Sequence, residues 1–93
     1  MSELVSVQAI VCGDVQGVFF RAFVSEVAEE LNLTGYVCNL PSGNVEVRAE
    51  GEEQPLEKLI SRLKVGPPAA RVRQVITDWS EYTGEYAGFR IKY

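Results

Sequence analysis

The sequence predicts an α+β sandwich of the order strand, helix, strand, strand, helix, strand, in which two helices cover one face of an antiparallel sheet. Three observations carry that expectation. Apolar residues alternate at period two near the start of the chain, apolar residues recur at helical spacing in two later segments, and turn-forming residues divide two β-rich runs that lie between those helices.

The elements follow in order. Val5, Val7, Ala9 and Val11 alternate with Ser6, Gln8 and Ile10, the pattern of a strand with at least one buried face. From Phe20 the apolar positions are Phe20, Val24, Val27, Ala28 and Leu31, one helical face, with Glu26, Glu29 and Glu30 on the other. Tyr36 to Asn39 and Val45 to Glu50 flank Leu40-Pro41-Ser42-Gly43-Asn44, a turn-rich connection, and read as a hairpin. Pro55 suits the first position of a helix whose apolar face is Leu56, Leu59, Ile60 and Leu63, and Gly66-Pro67-Pro68 stops it. Val72 to Trp79 has strand composition, and Phe89 to Tyr93 alternates to the last residue. This is the ferredoxin-like βαββαβ plan over a single domain, 1–93, with no repeat and no linker. The plan serves many unrelated functions and decides none.

Composition restricts the chemistry. Ninety-three residues, 46% of them apolar, can build one core and fold alone. The Met1-Ser2-Glu3 start has no basic stretch leading into an apolar segment, and no run approaches the roughly 20 apolar residues of a membrane span, so a soluble cytoplasmic protein is expected, with no membrane partner. A monomer is the expected state. A net charge of −4 lacks the basic footprint of a nucleic-acid binder, and an RNA-binding sheet would want aromatic residues on its central strands, whereas Val45 to Glu50 has none. The chain has no histidine, which removes Ser-His-Asp and Cys-His catalysis and the common zinc sites. Glu29-Glu30 and Glu52-Glu53 read as a solvated helix surface and a dipole-complementing helix start rather than metal ligands, so no metal and no cofactor is expected.

One loop breaks a local rule. Gly13-Asp14-Val15-Gln16-Gly17-Val18-Phe19-Phe20-Arg21 joins the first strand to the first helix, with no Ser, Thr, Asp or Asn directly before the helix to cap it. An arginine stands at the helix start, where unpaired N–H groups and the helix dipole favour an anion over a cation. The two glycines let the backbone approach a bound group closely, and successive N–H groups of such a turn can converge on a phosphate. Arg21 would then supply a planar cation to two phosphate oxygens, so that a bound dianion makes its placement favourable. The bland alternative is a structural loop with Arg21 paired to a carboxylate such as Asp14. The loop matches neither the P-loop nor the dinucleotide fingerprint. Cys12 precedes Arg21 by nine positions, which does not fit the Cys-x5-Arg loop of cysteine-nucleophile phosphatases.

GDVQGVFFR resembles the first signature of the acylphosphatase family, Gly-x-Val-Gln-Gly-Val-x-Phe-Arg, at every fixed position. Gly35-Tyr36-Val37-Cys38-Asn39, with Gly43-Asn44-Val45 and Gly51, resembles the second, and the likeness runs to the Gly88-Phe89-Arg90-Ile91 ending. One departure is Cys38, where the family usually has a basic residue or glutamine. The resemblance implies hydrolysis of acyl phosphates to a carboxylate and inorganic phosphate, the latter both product and inhibitor. It assigns phosphate binding to Arg21, orientation of the attacking water to Asn39, and a backbone cradle to Val15, Gln16, Gly17, Val18, Phe19 and Phe20. It implies neither a metal nor a covalent intermediate. A chain that ends at Tyr93 is expected to be a free-standing enzyme rather than the similar domain of larger carbamoyl-transfer enzymes. A non-catalytic phosphate-binding module, with Asn39 made unreactive by Cys38, is the alternative.

The remaining residues read as structural. Phe19, Phe20 and Phe23 are expected in the core and the loop floor, and Trp79 in packing. Asn32-Leu33-Thr34 fits the glycosylation pattern but is expected to stay unmodified. In the ferredoxin-like order the third strand separates Cys12 from Cys38 by two strand spacings, about 9.5 Å against the roughly 7 Å a disulfide tolerates, so free thiols are expected.

Overall fold

The computed structural model describes residues 3–93; Met1 and Ser2, read above for a leader, lie outside the described residues. The elements are β1 (Leu4–Asp14), α1 (Phe20–Glu30), β2 (Thr34–Asn39), β3 (Val45–Glu52), α2 (Glu53–Val65), β4 (Arg71–Glu81) and β5 (Phe89–Lys92). They form one five-stranded sheet in the order β4-β1-β3-β2-β5. The four longer strands pair antiparallel, and the short β5 joins parallel to β2. The fold is the expected ferredoxin-like α+β plan, with β5 making the sheet mixed.

Period-two alternation sets the layers. Val7, Ala9 and Val11 of β1, Val37 of β2 and Val45, Val47 and Ala49 of β3 are buried, and they share one core with Val24, Val27 and Ala28 of α1 and Leu56, Leu59 and Leu63 of α2. Helix α2 packs on β4, β1 and β3, and α1 on β2 and β5. The opposite face carries Gln8, Tyr36, Cys38, Glu46 and Arg48, all half-buried. Pro55 is the third residue of α2 rather than the first; in the first turn its missing N–H still has no intrahelical partner to lose.

Asn32, noted for its glycosylation pattern, ends α1. It adopts a left-handed φ of 57°, donates its N–H to Glu29 O at 3.1 Å, and lets Leu33 N–H reach Ala28 O at 2.9 Å, the paired bonds of a Schellman cap. Trp79 is 41% exposed rather than packed away. It pairs with Val7 and so faces the core side, but β4 is an edge strand with no neighbour to cover its outer flank.

A buried carboxylate on β3 ties down the connection to β5. Glu50, 1% exposed, accepts hydrogen bonds from Thr83 N–H at 3.0 Å, Thr83 Oγ1 at 2.8 Å and Gly84 N–H at 3.0 Å. Burial raises its pKa, but the backbone and hydroxyl donors of Thr83 and the N–H of Gly84 outweigh burial and hold it below the ordinary glutamate value.

Candidate active site

Strands β1, β2 and β5 run in the same sense, so their C-terminal ends lie along one edge of the sheet. The β1–α1 loop, Asn39 and the end of β5 therefore meet there. Between Cys12 and Gly13 the β1–β4 register shifts, and a Cβ at Gly13 would stand 2.2 Å from Arg71 O, so only glycine lets β1 stay paired to β4 past the irregularity, to Asp14. Gly17 takes a φ of 73°, the left-handed region that costs glycine least.

The loop is pinned from within. Val15 is 1% exposed, Val18 packs against the core, and Phe20, 2% exposed, anchors the first turn of α1. Gln16 turns outward and its Nε2 donates to Leu40 O at 2.8 Å and to Asn44 O at 2.9 Å, the two ends of the turn that follows Asn39. Gln16 thus ties the loop to the hairpin. Among the described residues, no loop or cap hydrogen bond uses the N–H groups of 15–20.

Helix α1 begins without a side-chain cap and with no acidic residue in its first turn, and Arg21 is its second residue. Its last turn has no basic residue and ends in Glu29 and Glu30. Helix α2 also lacks a side-chain cap but has the opposite charges, with Glu53 in the first turn and Arg62 and Lys64 in the last. Against one helix that obeys the dipole rule in the same molecule, α1 violates it at both ends, and its start is a site that an anion would stabilise.

Arg21 is half-buried and is held from β5. Its Nη1 lies 3.5 Å from the Lys92 carbonyl oxygen, a long contact, and its guanidinium carbon sits 4.6 Å from the centre of the Tyr93 ring. These partners replace the carboxylate pairing that Asp14 would have offered.

A cavity of about 310 Å³ opens between these groups. Of the residues read as site candidates, Val15, Gly17, Phe19, Phe20, Arg21 and Asn39 line it. Gln16 and Val18 do not, since one reaches the hairpin and the other the core. Asn39 is exposed at the end of β2, on the strand face opposite to Cys38. Ala22, Ile91 and Tyr93 also line the cavity and were not among the candidates. Ala22 follows Arg21 on α1; for Ile91 and Tyr93 the signal was the Gly88-Phe89-Arg90-Ile91 similarity, which gave no pairing, and parallel pairing of Cys38 with Lys92 puts that end of the chain beside Asn39.

Phe19 corrects an expectation. It is 84% exposed instead of lying in the core, because its backbone is left-handed, with φ 62° and ψ 25°, and turns the side chain outward immediately before the helix. Phe23 is half-buried and meets Phe20 edge to face at 5.9 Å, as expected of a core aromatic.

Cys38 faces away from the cavity. Its thiol lies 3.4 Å from Glu46 Oε1, which also accepts from Tyr36 O–H at 3.2 Å, while Gln8 Nε2 donates to Glu46 Oε2 at 2.7 Å. Burial, reinforced by the Glu46 hydrogen bond and charge, pushes the Cys38 thiol up and Tyr36 to about 12. Both cysteines are free, and β3 lies between their strands. Among the described residues no three His, Cys, Asp or Glu side chains gather as a metal-ligand set, and no helix is long and apolar enough to cross a membrane.

Fold and cavity define a ferredoxin-like α+β protein with an arginine and an asparagine facing one open pocket. The family model for acylphosphatase matches residues 7–91. An acylphosphatase of Aeropyrum pernix is 47% identical over 92 residues, 98% of this chain and 91% of that protein. The crystal structure of acylphosphatase from Bacillus subtilis superposes with a TM-score of 0.92 at 36% identity, covering 96% of this chain and 99% of that one. Full-length HypF contains a similar unit, with TM-score 0.89 and 34% identity over 99% of this chain but 12% of its own. The chain belongs to the acylphosphatase family.

Proposed function

We propose that the protein hydrolyses the carboxyl–phosphate bond of small acyl phosphates without a metal or cofactor. The observation that carries the reading is the cavity shared by Arg21, Asn39 and the uncapped start of α1. In this reading the phosphoryl oxygens take the N–H groups of the 15–20 loop and the guanidinium of Arg21, which neutralise charge and fix the phosphorus. The side-chain amide oxygen of Asn39 accepts a hydrogen bond from a water and aims it in line at phosphorus. The new P–O bond forms as the bond to the acyl oxygen breaks, and the water's protons leave with the product phosphate. A carboxylate leaves without needing a proton donor, so a site with no histidine suffices. Gln16 keeps the two halves in register through its bonds to Leu40 and Asn44.

The binding-module alternative rested on Cys38 disturbing Asn39. The thiol turns instead to Glu46, on the other face of the strand, which favours the enzyme. The same reading takes the protein as a cytoplasmic monomer of one domain, 1–93. The test is hydrolysis of benzoyl phosphate by purified protein before and after dialysis against a strong chelator. Saturable turnover, inhibited competitively by inorganic phosphate and unchanged by the chelator, is expected. Phosphate binding without turnover would make the chain a binding module, and activity lost to the chelator and restored by a divalent cation would overturn the metal-free mechanism.

A further inference from the structure

The cavity is larger than a phosphoryl group requires. At about 310 Å³ it lies in the range of small-molecule pockets, and Arg21, Asn39 and the loop account for the phosphate end alone. The rest of its lining is apolar or aromatic: Phe19, Ala22, Ile91 and Tyr93. Tyr93 already has one face of its ring against the Arg21 guanidinium. Tyr93 is more exposed still, at 96%, but its ring is engaged in this way; among the described residues Phe19 has no such contact, and two features mark it.

The first is exposure: Phe19 is 84% exposed at the mouth of the cavity, while its neighbour Phe20 is buried. The second is backbone conformation. Position 19 requires a left-handed residue, with φ 62°, where glycine would sit without strain, and an aromatic side chain stands there instead. Strain combined with loss of apolar cover is costly for the free protein, and a substrate group that covers the ring recovers part of it.

We propose, building on the acyl phosphate reading above, that Phe19 is the acyl-group contact of this site and selects aromatic or bulky apolar acyl phosphates over acetyl phosphate. The phosphoryl group fixes one end of the substrate at the helix start. The acyl carbon skeleton then extends toward the mouth, where the Phe19 ring meets it by offset or edge-to-face contact. Selection arises because acetyl phosphate, with a single methyl group, covers little of the ring.

The experiment compares kcat/KM for benzoyl phosphate and acetyl phosphate in the unmodified protein and in Phe19→Ala, Phe19→Gly and Phe19→Trp. An aromatic contact of ordinary strength predicts a benzoyl-to-acetyl ratio lowered about three- to tenfold in the alanine and glycine variants and kept in the tryptophan variant. Phe19→Gly also removes the backbone strain, so a matching loss there assigns the effect to the ring and not to loop geometry. A ratio unchanged in active alanine and glycine variants, with both substrates falling together or neither falling, would overturn this inference alone. Hydrolysis of neither substrate by the unmodified protein would overturn the proposed function and this inference with it.

Discussion

Replacing Gln16 by alanine separates positioning from binding, because its side chain turns away from the cavity and joins the cavity's two sides, while its backbone N–H stays in the loop. Its Nε2 donates two hydrogen bonds, 2.8 Å to Leu40 O and 2.9 Å to Asn44 O. Neutral hydrogen bonds contribute about 0.5–1.5 kcal/mol each, and an exposed residue, whose acceptors water can rescue, belongs at the low end. The pair is thus worth about 1–2 kcal/mol of coupling between the loop and the turn next to Asn39. At about 1.4 kcal/mol per decade, kcat should fall roughly five- to thirtyfold if that coupling holds the water in line with phosphorus. Phosphate affinity should change less, since Arg21 and the loop amides remain. Gln16→Glu should be worse than alanine, because it turns a carboxylate toward two carbonyl oxygens. The assay is steady-state hydrolysis of benzoyl phosphate, with the phosphate inhibition constant and thermal melting measured on the same samples. A Gln16→Ala protein with kcat within twofold of the parent would refute the tether. An equal loss of kcat and phosphate affinity would refute the separation of roles.

The acid side of stability depends on Glu50. Its folded pKa is depressed, so its contribution is complete above the unfolded glutamate pKa of about 4.3 and is lost as the pH falls through the lower folded value. Glu50→Gln should therefore melt lower at pH 7 and lose less on acidification from pH 5 to 3; parallel acid profiles for the two proteins would contradict this. Thiol titration of unfolded, unreduced protein should count both Cys12 and Cys38, and an absence of thiols would show that they pair.

Much of this was legible because periodicity reports which face a residue occupies. The core positions of β1, α1, β3 and α2 follow from spacing alone, and Arg21 was visible as a cation at the wrong end of a helix. What spacing cannot report is a partner distant in sequence. Parallel pairing of β5 with β2, which brings Ile91 and Tyr93 to Asn39, is such a contact, and so is the docking of Thr83 and Gly84 on Glu50, which reads in sequence as one more polar residue of an alternating strand. Phe19 misled for a local reason: left-handed residues are signalled by glycine or asparagine, and an aromatic ring before a helix reads as core. The Cys38 departure lost its weight once alternation along β2 put its thiol and Asn39 on opposite faces.

The most direct test of the central claim compares Arg21→Gln and Asn39→Ala by kcat and by the phosphate inhibition constant, with folding checked by circular dichroism. Arg21→Gln should lose turnover and phosphate inhibition together. Asn39→Ala should lose about 10² to 10³ in kcat, the typical cost of one preorganised polar group, and keep its phosphate inhibition constant within about threefold. A folded Asn39→Ala protein with kcat near that of the parent, or a folded Arg21→Gln protein still inhibited normally by phosphate, would contradict the account.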